Sequence, residues 1–116
     1  MSTVKMEKTQ IEMQSETLNT LCNLYDVVSE QIACYPSEIQ FQKDYKAAKS
    51  VVDILFISLK KKLITKQNSK KPFKISLEYF QVYFLVNFIS ANSTFLYGLY
   101  ERNQLLKLTS ILHQEL

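Results

Sequence analysis

Seven lysines stand between Lys60 and Lys74 with no acidic residue among them: Lys60, Lys61, Lys62, Lys66, Lys70, Lys71 and Lys74. Half of the chain's fourteen basic side chains therefore fall in one short stretch, and the chemistry open to such a group is anion binding. Ammonium groups meet phosphate oxygens as point charges, and Phe73 and Tyr79 close by could stack a base. The block holds no arginine, the side chain that reads base edges through paired hydrogen bonds. Only a sequence-independent phosphate clamp is consistent with it. The plainer use of the same residues is solvation: cations near a helix C-terminus complement its dipole, and a lysine-rich loop keeps an aromatic protein soluble.

No other set of residues has the spacing of a reactive centre. The single histidine, His113, lies near the C-terminus, and the position three residues before it is Ser110, so the Glu-x-x-His pattern of a di-iron bundle is missing. Cys22 and Cys34 are separated by about 18 Å if they share one helix, too far to bond to each other. With one distant histidine they also lack the spacing of zinc ligands. Glu12 and Glu16, like Asp26 and Glu30, would lie one helical turn apart, and among neighbouring polar residues they read as solvated carboxylates. One glycine, Gly98, cannot build a Gly-rich nucleotide loop. We expect no cofactor, no metal and no enzymatic activity.

The elements that must carry these residues are helical. Apart from Gly98 the only strong breakers are Pro36 and Pro72, and the rest is rich in helix formers. Val4, Ile11, Leu18, Tyr25 and Ile32 recur every seven residues, with Leu21 and Val28 between them, which predicts a first helix over 4–33. Ser37 and Gln40 have the spacing of a capping box and open a second helix over 37–64. Its seam runs Phe41, Tyr45, Ala48, Val52, Leu55 and Leu59, widened by Val51, Ile54 and Phe56. Ser76 can cap a third helix over 76–91 after a short extended approach near Phe73 to Ile75, and Asn92-Ser93 stops it. A fourth helix over 94–116 carries Leu105, Leu108, Leu112 and Leu116 on one face.

The expected fold class is all-α, a single domain built as a four-helix up-down bundle with a lysine-rich loop between helices two and three. An apolar fraction of 47% and a net charge of +3 exclude a disordered chain and fall short of a dedicated nucleic-acid binder. The charge is unevenly placed, −3 over 1–59, +7 over 60–74 and −1 over 75–116. No apolar run reaches the ~20 residues of a membrane span, and the charged N-terminus has no signal-peptide core. The location expected is the cytoplasm.

Helix three has apolar residues on two opposite faces, Leu77, Phe80, Phe84, Phe88 and Ala91 on one and Tyr79, Val82, Val86 and Ile89 on the other. One face more than a corner helix buries suggests a docking surface. The reading is a non-enzymatic helical interaction protein, self-associating as a homodimer or holding a protein partner through Tyr79, Val82, Val86 and Ile89. The alternative is an accessory nucleic-acid-binding protein that uses the lysine block as a phosphate clamp.

Overall fold

A computed structural model describes residues 8–34, 43–95 and 98–116, with side chains at 31–34 and 43–45 left aside. The helix stop at Pro36 and the capping box at Ser37 and Gln40 lie outside the described residues, as does Val4. Within them the chain runs β1 (Thr9–Met13), α1 (Ser15–Cys34), α2 (Lys43–Lys66), β2 (Phe73–Leu77), α3 (Tyr79–Asn92), a 3-10 turn (Ser93–Phe95) and α4 (Leu99–His113). The protein is mostly helical, as its periodicity predicts.

The first helix does not begin at residue 4. Thr9–Met13 is a strand, paired antiparallel with β2 in the register Thr9↔Leu77, Ile11↔Ile75 and Met13↔Phe73. The sequence Thr-Gln-Ile-Glu-Met alternates, and in a strand alternate side chains share a face. Ile11 and Met13 are buried together with Phe73, Ile75 and Leu77, while Glu12 and Lys74 face each other on the outer side. Ile11 also fits a seven-residue repeat with Leu18, and that coincidence extends the helix pattern falsely. Gln14 separates strand from helix, and its carbonyl accepts the first α-helical bond from Leu18 N–H at 3.1 Å. Glu12 and Glu16 therefore do not share a helix face.

α1, α2 and α4 each bury a stripe of helical period. Leu18, Leu21, Leu24 and Val28 of α1, Val52, Leu55, Phe56 and Leu59 of α2, and Leu105, Leu108 and Leu112 of α4 join the inner face of the sheet in one core. The main helix contacts are α1 with α2 and α4, and α3 with α2 and α4. Thr20, buried in the second turn of α1, donates to Gln104 Oε1 at 2.8 Å and ties α1 to α4. Ser15 Oγ donates to the Ser69 carbonyl at 3.3 Å, fastening the start of α1 to the turn that follows α2.

Three boundaries differ from expectation for local reasons. Ser76 belongs to β2, and α3 is capped instead at Glu78, whose N–H donates to Gln81 Oε1 at 2.9 Å. That is the reciprocal bond of a capping box shifted by two residues. The fourth helix starts at Leu99 after the 3-10 turn, and it ends at His113, which leaves Leu116 outside it and exposed. Asn92 does end α3; its side-chain amide donates to the Phe88 carbonyl at 2.9 Å.

Candidate functional site

The third helix packs its supposed docking face inward. Val82, Val86 and Ile89 are at most 2% exposed and sit with Leu85 in the core, and only Tyr79 of the expected interface faces outward. The opposite face is covered in part. Phe88 is held against Phe56 and Tyr25 at centroid distances of 5.2 and 6.2 Å, and Tyr25 stacks on Phe56 at 4.4 Å. Phe84 and Phe88 are half-buried and, with Tyr25 and Val52, line a groove of about 380 Å³. The covering of this second face is incomplete, because Phe80 and Tyr83 are 40% and 49% exposed, whereas the first face is closed over by the core.

At the edge of that aromatic cluster lies a polar chain. Tyr25 donates its hydroxyl proton to Asp53 Oδ1 at 2.6 Å, and Lys49 donates to Asp53 Oδ2 at 2.7 Å. Burial, and then the hydrogen bond to Asp53, push Tyr25 up to about 12. Burial works to raise the Asp53 carboxyl, but the bonds from Lys49 and Tyr25 outweigh it and hold the group below its ordinary 3.8. Cys22, an unpaired buried thiol, is pushed up to about 11 chiefly by burial. All three groups are displaced away from neutrality, whereas a proton-transfer catalyst needs a value near the working pH. Among the described residues no three His, Cys, Asp or Glu side chains converge on a metal position.

The Tyr25 shift carries a pH dependence. An unfolded tyrosine loses its proton near 10, the folded one near 12, so the folded state binds more protons between those values. Its contribution is complete below pH 10 and is lost as the pH rises through 12. Urea unfolding at pH 9.5 and 11.5 is expected to show falling stability, and Tyr25→Phe to remove part of that fall while the part due to Cys22 persists. An unchanged pH slope in the variant would show that the fold does not raise the Tyr25 hydroxyl.

The lysine block is divided by the fold. Lys60 is engaged: its ammonium pairs with Asp26 Oδ1 at 2.5 Å and lies 5.1 Å from the Tyr25 ring centroid. Lys66 ends α2, and Lys70 and Lys71 are exposed on the turn that follows. Lys61, Lys62 and Lys74 come together. They line a cleft of about 460 Å³ between α2 and β2, with Ser58, Thr65, Ser76 and Gln81 on the same walls. Lys74, Ile75, Ser76 and Leu77 all line the cleft, so β2 borders it along its edge, and Lys74 comes to it from the outer side of the sheet.

The outer face of α2 shows what the sequence pattern concealed. Ile54 was expected to widen the buried stripe, yet it is 65% exposed, and Ile57 and Ile64 are 58% and 71% exposed. Ala47, Ser50, Ile54, Ile57, Lys61 and Ile64 are all exposed and follow steps of three, four, three, four and three. This is the a/d spacing of a helix that packs against another helix. The signal was present in the sequence, but α2 has two apolar stripes on opposite faces, and Val52, Leu55 and Leu59 claim the same period.

No helix among the described residues is long and apolar enough to cross a membrane. No known protein family, no curated protein and no solved structure matches the chain.

Proposed function

We propose that this chain is a small, non-enzymatic, cytoplasmic helical interaction protein that works by self-association through the outer face of α2. In the same reading the four helices form an up-down bundle, in keeping with the contacts of each helix with its neighbours in sequence. The free thiol of Cys22 fits a reducing compartment. The observation that carries the reading is the row of isoleucines at helix-packing spacing, each more than half exposed. Exposed apolar residues scattered singly need no explanation, whereas an aligned set does.

The residues of this row favour a second copy of the chain in antiparallel orientation. A parallel, in-register pair would set Lys61 against Lys61 in the middle of the contact. An antiparallel pair centred between Ile54 and Ile57 sets those two against each other, with Lys61 over the small Ser50 and Ile64 over Ala47. Large then meets small at both ends, and the Lys61 stem lies along apolar surface with its charge in water. The row spans about 26 Å at ~1.5 Å per residue. A single helix pair of that length is at the lower end of the roughly 1,000 Å² that specific interfaces bury, so the dimer is reversible.

Sedimentation equilibrium tests this. At roughly 50 µM the wild type is expected to be largely dimeric, with a dissociation constant in the micromolar range. Ile54→Glu with Ile57→Glu should give a monomer of undiminished helicity, because both side chains are already in water. A wild type that sediments as a monomer would reject self-association. A dimer that survives the double substitution would place the contact elsewhere.

A further inference from the structure

We infer that the cleft between α2 and β2 binds a phosphate-bearing anion, with Lys61, Lys62 and Lys74 as the charged contacts. Three lysines line one concavity that has no acidic residue in its walls. Carboxylates stand at neighbouring positions: Glu12 is opposite Lys74 in the sheet, and Glu78 caps α3. The polar atoms of the walls are set largely as donors. Gln81 Oε1 is occupied by the Glu78 N–H, which leaves the Gln81 amino group for the cleft. Ser58 and Ser76 add hydroxyls, whereas Thr65 spends its proton on the Lys61 carbonyl at 3.1 Å and offers only lone pairs.

The chemistry of the ligand follows from that donor set. Lysine is a point charge without the planar fork by which arginine grips a carboxylate, so the cleft has no preference for planar groups and suits tetrahedral oxyanions. A volume of about 460 Å³ exceeds what one phosphate fills. Two or three linked phosphates match both the room and the three charges. Such groups occur in free oligophosphates and along a nucleic-acid backbone, and the shared chemistry is adjacent phosphoryl oxygens. This is a smaller site than a clamp of seven lysines. Lys60 is committed to Asp26, and Lys66, Lys70 and Lys71 do not line the cleft.

Calorimetric titration of the full chain at ~50 mM salt, where such contacts are strongest, with inorganic tripolyphosphate and with a short single-stranded oligothymidine tests the site. Saturable binding of at least one probe is expected, and for the oligonucleotide a log-log salt slope no steeper than about −2, from ~0.7 for each of three phosphates. Lys62→Gln with Lys74→Gln should weaken binding about tenfold, the loss of two partly exposed charge contacts. Lys70→Gln with Lys71→Gln should leave it unchanged. Lys61 is kept in both variants because it also lies in the row of isoleucines, so a change in dimerisation is not read as a change in anion binding.

Tripolyphosphate alone as the bound probe identifies a free oligophosphate as the source, and the oligonucleotide alone identifies a backbone; either supports the site. Amide shifts of the wild type on titration should centre on 58–65 and 74–81, a readout independent of any variant's folding. Absence of saturable binding, shifts centred elsewhere, or an equal loss in the Lys70/Lys71 variant would overturn the proposal.

Discussion

Replacing Val82 and Val86 together by glutamate is expected to unfold the protein. The two valines are 0% and 2% exposed, and among the described residues no basic side chain is buried to take up a carboxylate. A charge placed in such surroundings costs several kcal/mol, or is neutralised at a comparable cost through its pKa. Two of them equal or exceed the ~5–15 kcal/mol by which a domain is stable. Circular dichroism should show loss of helix without a cooperative melt. The same pair on an outward interface would leave helicity intact and change only the oligomeric state. A folded, monomeric double variant would therefore return the docking face to α3 and displace it from α2.

Phe56→Ala should cost about 3–5 kcal/mol, the range for removing a buried aromatic ring. Phe56 is 0% exposed and is the ring on which both Tyr25 and Phe88 pack. Its loss opens a cavity between α1, α2 and α3 and also takes away the support of the Tyr25–Asp53 bond. For a chain of this size the midpoint of thermal unfolding should fall by roughly 12–20 °C. Tyr25→Phe keeps the stacked ring and should cost far less, about 1 kcal/mol for one hydrogen bond. Urea unfolding of the two variants side by side separates ring packing from hydrogen bonding. A Phe56→Ala loss below about 1 kcal/mol would mean that the aromatic cluster is not part of the core.

Local pattern was enough wherever a helix has one polar and one apolar side. The buried residues Val52, Leu55 and Leu59 of α2 and Leu105, Leu108 and Leu112 of α4 can be read from their spacing, because burial of one stripe sets the period. The end of α3 at Asn92 is legible for a similar reason: a side chain that bonds its own backbone competes with the helix. The existence of a basic segment, and its separation from the acidic segments on either side, is likewise a property of the sequence alone.

What spacing left open was decided by contacts between distant residues. β1 has five residues and its partner lies some sixty positions further on, so nothing near it distinguishes a strand from the start of α1. Ile54 and Leu55 are adjacent and equally apolar, and only the position of α1 and α3 against α2 sends Leu55 inward and leaves Ile54 in water. In α3, apolar all round, period carries no information about which side is the core. The lysines are the clearest instance. Their number and signs were plain in the sequence, but Asp26 on α1 claims Lys60, while the placing of β2 beside α2 brings Lys74 into one cleft with Lys61 and Lys62. Charge is a property of residues, and a charged cleft is a property of their packing.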